Sequence, residues 1–315
     1  MEHNKTGLII KSVGGLFELM PDADCGSERV VCRARGAFRH QKMRLLVGDR
    51  VRYDTEPDGS GAVLEILPRR NALIRPPLAN LDMIFVVLAA SYPEPDLVLT
   101  DKLISIAEFS GIRPILVITK DDQNADTARS IRQIYEKSGF DTFVTSSLQK
   151  SGIDRLTDFI RTECPEHISA VAGVSGAGKT SLLNVLFPSL SLQTGELSRR
   201  IERGKNTTRQ AELFALNDLL PDLPADMPAG YIADTPGFSL LDFTRFDFYT
   251  KEDLPFTFRE FAPYLGKCRY TKCSHTKEEG CAIRQAISDG IIPPERHKSY
   301  CAIFNDLKNK HAWDK

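Results

Sequence analysis

The stretch Gly173-Val-Ser-Gly-Ala-Gly178-Lys179-Thr180 decides how the central part of this chain folds. Its spacing is that of a phosphate-binding loop, in which backbone N–H groups of a glycine-rich turn surround phosphate oxygens and the start of a helix adds positive potential. The apolar residues 168–172 predict a strand before the loop, and residues 181–186 predict a helix after it. Because the motif requires this context, we expect a nucleoside-phosphate site here. The predicted contacts are Gly173, Val174, Ser175, Gly176, Ala177, Gly178, Lys179, Thr180 and Ser181.

The chemistry of the loop assigns roles to single residues around it. We expect Lys179 to contact the β- and γ-phosphates and the hydroxyl of Thr180 to bind Mg²⁺. Asp234 ends another predicted strand 54 residues after Thr180, where a carboxylate suits a second contact to Mg²⁺ through water. Gly237 follows in the turn Asp234-Thr-Pro-Gly237 and can bring its backbone N–H to the γ-phosphate, because it has no side chain to clash.

A second group of polar residues lies upstream and predicts recognition of guanine. Thr119, Lys120 and Asp122 follow the apolar segment 115–118, and a carboxylate there can accept from guanine N1–H and from its exocyclic amine. Ser146 and Ser147 follow the next predicted strand, where a backbone N–H can reach guanine O6. The Thr-Lys-x-Asp string is a weak signal alone, and the serines make it meaningful.

Between the phosphate loop and Asp234 lies a basic, glycine-containing segment, residues 199–209. Thr207 or Thr208 in this segment would close on Mg²⁺ when a γ-phosphate is present, the ordering switch of GTPases. The alternative interpretation of the segment is a solvated linker.

Outside the loop, the pattern of the chain predicts a multidomain α/β protein with three parts. Short strands separated by Gly-Asp and Gly-rich turns predict an OB-fold barrel, or another small barrel of the SH3 type, over residues 1–70. Alternating buried strands and helices predict a doubly wound α/β domain over residues 71–245. Residues 246–315 mix helical segments with Pro, aromatic, Cys and His residues and predict a small third region.

The third region carries a spacing typical of a structural metal site. Cys268, Cys273, His275 and Cys281 supply three thiolates and one imidazole within 14 residues. Such a Cys₃His set holds one Zn²⁺ in a closed tetrahedron with no position open for water. The alternative is a group of unpaired core cysteines.

The composition of the chain limits the class of protein and the compartment that we expect. The chain has 315 residues with a net charge of −1 and 42% hydrophobic residues, which is ordinary globular composition. The longest apolar run, residues 83–90, is far shorter than the roughly 20 residues of a membrane-spanning helix, and no apolar signal core follows the N-terminus. Seven cysteines without a secretory signal argue against a disulfide framework. We therefore expect a monomer in the reducing cytoplasm, with no membrane partner.

The recognition motifs resemble those of translational GTPases, but the guanine motifs precede the phosphate loop, which is a circular permutation. Together with the barrel and the Cys/His cluster, they resemble the ribosome small subunit-dependent GTPase A family. The resemblance covers nearly the whole chain, including Asn71-Ala-Leu-Ile-Arg75-Pro76 and Asn80-Leu-Asp82. It implies a GTPase that hydrolyses GTP with water to GDP and phosphate, binds the small ribosomal subunit and its rRNA, and acts late in subunit maturation. It also implies that the GTP form binds the subunit and that the protein leaves after hydrolysis.

Two positions depart from the pattern of that family. Thr119 stands where the family often has Asn, so a base contact through an amide is missing. Asn206 stands where the family often has His, so any proton transfer assigned to that His does not carry over. Phe238, which follows Gly237, cannot orient the attacking water, and we expect slow hydrolysis without the partner.

Two other functions are compatible with parts of the pattern. A P-loop ATPase or small-molecule kinase would share the phosphate loop but would not need Asp122. An RNA-binding adaptor could hold a nucleotide without turnover. One basic run without any acidic residue lies in the predicted barrel. It is either a solvated, unengaged face or a surface for RNA phosphates, and it contains Arg29, Arg33, Arg35, Arg39, Lys42 and Arg44.

Overall fold

The computed structural model describes residues 5–22, 28–35, 38, 44–56, 59–73, 77–190, 212–224, 229–234 and 249–309. Elements are numbered in chain order. The strands are β1 Lys5–Val13, β2 Leu16–Pro21, β3 Val30–Ala34, β4 Arg50–Thr55, β5 Gly61–Ile66, β6 Ala72–Leu73, β7 Leu78–Ala79, β8 Met83–Ala89, β9 Arg113–Thr119, β10 Thr142–Val144, β11 Ile168–Gly173, β12 Glu212–Ala215 and β13 Tyr231–Asp234. The α-helices are α1 Leu97–Phe109, α2 Ala125–Lys137, α3 Ile153–Glu163, α4 Lys179–Leu186, α5 Leu216–Leu219, α6 Ala282–Ser288 and α7 Pro294–Lys308.

The chain divides into two compact units. The barrel unit consists of Met1–Met83, Phe159–Val171 and Phe187–Phe238. The loop unit consists of Ile84–Asp158, Ala172–Leu186 and Ser239–Lys315, so residues of the predicted third region share a unit with part of the predicted α/β domain. The three-part division of the sequence stays a prediction.

Strands β1 to β5 of the barrel unit form a closed ring. Strand β1 pairs antiparallel with both β2 and β4, β2 pairs antiparallel with β3, β3 runs parallel to β5, and β5 pairs antiparallel with β4. Buried and less buried side chains alternate along β2, β4 and β5, and Ile9, Leu19, Val51 and Val63 are fully buried. This five-stranded arrangement agrees with the predicted OB-fold.

The segment 45–47, which its apolar run predicts as a strand, is a loop in the structure. Only Val47 makes a bridge, to Leu78. The fully buried carboxylate of Asp49 accepts from the Leu46 N–H at 2.7 Å and from Arg69 Nε at 2.6 Å. The first contact satisfies the Leu46 N–H without a partner strand, so buried apolar residues alone did not specify a strand here.

Two asparagines shape the segment that follows the barrel. The Asn71 side chain both accepts from the Leu81 N–H and donates to the Leu81 carbonyl, at 2.9 and 2.8 Å. Asn80 has a positive φ of 56° and donates from its amide to the Gly48 carbonyl at 2.9 Å. These bonds explain physically why asparagines stand at both positions.

Among the other strands of the barrel unit, β6 and β7 pair antiparallel with each other, and β11, β13 and β12 lie side by side. Strand β13 lies parallel to β11 and antiparallel to β12, with Glu212 opposite Asp234. Strand β12 also meets β1 at Lys11, whose ammonium pairs with Glu212 at 2.7 Å.

In the loop unit, β8 and β10 flank β9, and β10 runs parallel to β9. Every residue of β8 is buried, as expected for a strand covered on both faces. Helix α1 begins after Asp96, which accepts from the Leu99 N–H, and α2 begins after Asn124, which accepts from the Thr127 N–H. The Asn124 cap explains why α2 starts at Ala125, two residues before the start that the sequence pattern indicates.

One buried ionic cluster joins the C-terminal helix α7 to α1 within the loop unit. Arg296 on α7 is 1% exposed and donates to Asp101 on α1 and, at 2.6 Å, to Glu260. The Tyr135 hydroxyl also donates to Asp101 at 2.8 Å, and the guanidinium lies 4.5 Å from the ring centroid of Phe258. Burial alone lowers the pKa of Arg296, but the two carboxylates outweigh it and raise the pKa above its usual value.

Candidate functional site

The glycine-rich turn connects the end of β11 to the start of α4. Gly173 has φ of 149°, and a Cβ placed on it would lie 2.1 Å from the Val87 carbonyl oxygen of β8. A side chain at this position would therefore push the loop off the strand, which explains the glycine physically. At the other end, the Leu182 N–H donates to the Gly178 carbonyl at 2.8 Å and closes the first turn of α4.

Lys179 lies at the first position of α4 and reaches back over the loop. Its ammonium donates to the carbonyl oxygens of Gly173 at 2.7 Å and Val174 at 2.9 Å. A cation is thus held within the loop beside the N-terminus of a helix, the arrangement that binds phosphate. Among the other predicted contacts, Ala177 is buried, Thr180 is half-buried, and Ser175, Gly176 and Ser181 are exposed.

The predicted guanine motif lies beside the phosphate loop in the loop unit. Lys120 follows β9 with a positive φ of 60°, and its ammonium donates to the Gly176 carbonyl at 2.9 Å. The Thr119 hydroxyl, also at the end of β9, donates to the Ala177 carbonyl at 2.5 Å. Two residues of the motif therefore bind the carbonyls at the tip of the phosphate loop.

Asp122 and Ser146 meet directly. The buried hydroxyl of Ser146 donates to the Asp122 carboxylate and accepts from the Gln149 N–H at 3.1 Å. The backbone N–H of Ser146 donates to the Ser151 carbonyl at 3.0 Å. The hydroxyl fixes the orientation of the carboxylate, while Ser147 is half-buried next to it. The structure thus brings together residues that the sequence separates by 24 positions.

For four of the predicted switch and magnesium contacts, the structure describes no side chain. Thr207, Thr208 and Gly237 lie outside the described residues, as does the basic segment 199–209. Asp234 ends β13, and only its backbone is described. Their roles stay predictions.

The Cys/His residues of the loop unit converge on one point. The ligand atoms of Cys268, Cys273, His275 and Cys281 all lie within 4.8 Å of one another. The Sγ atoms of Cys268 and Cys281 are 3.9 Å apart, and they lie 3.5 and 3.6 Å from His275 Nδ1. A tetrahedral zinc with ordinary bond lengths requires about 3.8 Å between sulfurs and about 3.5 Å between sulfur and nitrogen. The cluster is therefore compatible with zinc.

Burial acts in opposite directions on the two kinds of side chain in the cluster, because it favours the neutral imidazole that binds a metal and disfavours the thiolate. Burial lowers the pKa of His275, which favours the neutral imidazole that metals bind. Burial raises the pKa of Cys273 to about 12, so this thiol keeps its proton until a cation displaces it.

Glu278 shapes the turn that carries His275, and sequence reasoning did not single it out. Its carboxylate accepts from the N–H groups of Ser274, Thr276 and Lys277 at 3.0 to 3.1 Å. Burial alone raises the pKa of Glu278, but the hydrogen bonds, led by the Ser274 hydroxyl, outweigh it and lower the pKa to about 2. The signal available in the sequence is an acid shortly after the Ser274-His-Thr276 turn, the spacing of a side chain that binds its own turn.

None of the helices in the described ranges combines the length and the hydropathy that a membrane crossing requires.

The comparisons with known proteins bear on the whole chain. The model of the RsgA GTPase family matches residues 66–244, and that of the RsgA N-terminal domain matches residues 6–63. The chain belongs to the RsgA GTPase family. Its membership confirms the family that the motif order indicated, and it identifies the chain as an enzyme that hydrolyses GTP and therefore binds guanine nucleotides.

Relatives of the RsgA family match over nearly their full length. The small ribosomal subunit biogenesis GTPase RsgA of Halalkalibacterium halodurans is 35% identical over 309 residues, 97% of this chain and 98% of that protein. The protein of the same name from Bacillus subtilis is 36% identical over 309 residues, 96% of this chain and 98% of that protein.

Solved structures of similar proteins confirm the fold class. YjeQ from Thermotoga maritima is 30% identical with a TM-score of 0.78, covering 98% of this chain and all of that one. YloQ, described as a circularly permuted GTPase, is 31% identical with a TM-score of 0.76, covering 98% of this chain and 97% of that one. The permuted order of the motifs in this chain agrees with that description.

Proposed function

We propose that this GTPase acts on the small ribosomal subunit late in its assembly, binding it in the GTP form and leaving after hydrolysis. The observation that carries the proposal is that the predicted guanine motif contacts the phosphate loop, through Thr119 and Lys120, in a chain of the RsgA family. The relatives named small ribosomal subunit biogenesis GTPases support the choice of subunit. Because ribosomes assemble in the cytoplasm, we place the protein there. We also propose that it is a monomer.

The residues of the phosphate loop position and neutralise the phosphates. The ammonium of Lys179 exchanges the Gly173 and Val174 carbonyls for the β- and γ-phosphate oxygens, and the loop N–H groups add further donors. Mg²⁺ held by the Thr180 hydroxyl, with Asp234 through water, would neutralise charge that develops on the phosphates. Thr207 or Thr208 and the Gly237 N–H would complete the site on the γ-phosphate side.

Asp122 and Ser147 are the residues that we propose to recognise the guanine base. The carboxylate of Asp122, oriented by Ser146, accepts from guanine N1–H and the exocyclic amine. The Ser146 N–H already donates to Ser151, so we assign the contact to guanine O6 to the Ser147 N–H. The stem of Lys120 lies along the base plane.

The water that attacks the γ-phosphate has no orienting side chain at Phe238. We therefore propose that intrinsic turnover is slow and that the small subunit supplies the missing organisation. A pure nucleotide-binding adaptor would show no such stimulation.

Two exposed basic surfaces are proposed to contact rRNA. On the barrel unit, Arg33, Arg35 and Arg44 are exposed. Beside the Cys/His cluster of the loop unit, Arg269 lies 5.6 Å from the ring centroid of Tyr270, which is 49% exposed. Cations bind phosphates, and exposed aromatic rings stack on unpaired bases.

The test is a GTPase assay with and without small ribosomal subunits, in parallel with ATP. We expect slow hydrolysis of GTP alone, strong stimulation by the subunits and no activity towards ATP. Equal rates with and without subunits would overturn the assignment of the partner, and equal use of ATP would favour the P-loop ATPase.

Replacing Asp122 by asparagine should change the choice of base. An amide donates where the carboxylate accepts, so the variant should lose affinity for GDP by at least about a hundredfold and gain affinity for XDP, whose C2 carries a carbonyl. Calorimetry with GDP, XDP and ADP measures all three affinities. Asp121→Asn is the matched control. The backbone N–H of Asp121 donates to the Thr145 carbonyl, and no contact to the base is predicted for the Asp121 carboxylate. Unchanged GDP affinity in Asp122→Asn would contradict the assignment.

We propose that Cys268, Cys273, His275 and Cys281 hold one structural Zn²⁺, which cross-links the turn at residues 268–281 to the start of α6. The closed ligand set leaves no position for water, so the metal contributes to folding and takes no part in hydrolysis.

Replacing Glu278 by alanine should lower zinc affinity by about 10–100-fold, because the turn that presents His275 loses the acceptor for three N–H groups. Competition with a chromophoric chelator measures the affinity. The neighbouring Glu279 is exposed, and Glu279→Ala is the matched control that should bind zinc normally. Equal affinities of the two variants would show that the turn does not depend on Glu278.

A further inference from the structure

Thr119 occupies an unusual position between the two recognition loops. Its side chain is 2% exposed at the end of β9, beneath the phosphate loop. The hydroxyl oxygen lies 2.5 Å from the Ala177 carbonyl oxygen and 3.3 Å from that of Leu88. Both neighbours are hydrogen-bond acceptors, so the single proton of the hydroxyl must go to one of them.

The proton goes to Ala177, because that contact is shorter by 0.8 Å. A hydroxyl in this state has no donor left. Guanine presents acceptors at N7 and O6, and an acceptor on the base needs a donor from the protein. Thr119 therefore cannot supply the base contact that an asparagine amide would supply.

Thr119 also lies next to the last glycine of the phosphate loop. A Cβ placed on Gly178 would lie 3.4 Å from Thr119 Oγ1 and 3.7 Å from Thr119 Cβ, at ordinary van der Waals distance. Ala177 between them is fully buried. The threonine thus donates a hydrogen bond to the loop at Ala177 and lies beside the loop at Gly178.

We infer that Thr119 is a positioning residue for nucleotide binding: it holds the phosphate loop in its binding conformation and does not read the base. The inference rests on the proposed nucleotide site and adds a division of labour within the guanine motif. Asp122 selects the base, whereas Thr119 ties the selecting strand to the loop that holds the phosphates. Loss of the hydroxyl leaves the buried Ala177 carbonyl without its donor and loosens the loop.

The test uses the full-length protein and three variants. Thr119→Val removes the hydroxyl at nearly constant volume, and Thr119→Ser keeps it. Thr142→Val is the matched control, because the Thr142 hydroxyl is also buried in a strand of the loop unit and donates to a carbonyl, that of Phe140, at 3.1 Å. For each protein, stopped-flow fluorescence gives the dissociation rates of GDP and of 7-deaza-GDP, which lacks the N7 acceptor.

We expect Thr119→Val to release GDP about tenfold faster than wild type, and Thr119→Ser and Thr142→Val to release it at nearly the wild-type rate. The ratio of the two dissociation rates, 7-deaza-GDP over GDP, should be the same in Thr119→Val and wild type, because residue 119 makes no contact to N7. A wild-type release rate in Thr119→Val, or a ratio that falls to one only in that variant, overturns the inference. Failure of the wild-type protein to bind GDP would instead refute the proposed site itself.

Discussion

Replacing Lys179 by alanine should slow subunit-stimulated GTP hydrolysis by on the order of 10²–10³-fold. The ammonium is a charged donor within the phosphate loop, held at 2.7 and 2.9 Å from two loop carbonyls. In a site sheltered from water, a positive charge at the β- and γ-phosphates stabilises the transition state more than it would in solution. Phosphate release under single-turnover conditions measures the loss.

Thr180→Ala should give a comparable loss, through Mg²⁺, and restoring the charge with Lys179→Arg should not restore the rate, because the planar guanidinium does not fit the space of a compact ammonium. Lys298 on α7 is exposed, and Lys298→Ala controls for the loss of one positive charge. If folded Lys179→Ala hydrolysed GTP at the wild-type rate, the phosphate loop would not be the catalytic site.

Replacing Arg296 by methionine should destabilise the loop unit by about 3–5 kcal/mol. The substitution keeps much of the side-chain volume but leaves the carboxylates of Asp101 and Glu260 buried without their cation. Helix α7 should then detach from α1 in a larger fraction of molecules. Native-state hydrogen exchange of the amides of α1 and α7 measures the free energy of this opening.

Neutralising the partners tests whether the loss comes from unpaired charge. The triple variant Arg296→Met, Asp101→Asn, Glu260→Gln should recover most of the stability, because no uncompensated charge stays buried. Arg132→Ala removes an exposed i,i+4 pair with Glu136 and should change stability by less than about 0.5 kcal/mol. A single Arg296→Met variant as stable as Arg132→Ala would show that the cluster is not a structural connection.

Several features of this protein could be predicted from its sequence, because each depends on residues that are close together in the chain. The motif at residues 173–180, with the apolar segments 168–172 and 181–186 on either side, predicts a strand, a turn and a helix. Backbone N–H groups of such a turn and the N-terminus of the helix suffice to bind a phosphate. The four residues of the Cys/His cluster lie within 14 residues, so their spacing alone predicts a shared cation. Apolar residues recur at helical spacing over residues 97–109, and this spacing alone predicts helix α1 there, where the Asp96 cap also starts it.

Other features had no local signal. The apolar segment 45–47 has the pattern of a strand, and only the pairing of the barrel and the buried Asp49 made it a loop. The sequence around Arg296 predicts an ordinary charged residue on a helix. Its partner Asp101 is 195 residues away in the chain. Sequence spacing carries no information on such a contact.

The sequence by itself determined the motifs, their permuted order, the family and the reaction, because each depends on residues that act within one turn or one short segment. Only the tertiary structure decided how the guanine motif meets the phosphate loop, through Thr119 on Ala177 and Lys120 on Gly176. It also decided that Ser146 orients Asp122 and that Arg296 joins α7 to α1. The physical reason is that hydrogen bonds and ion pairs between distant segments depend on distances of about 3 Å, and only the packing of the buried strands and helices sets them.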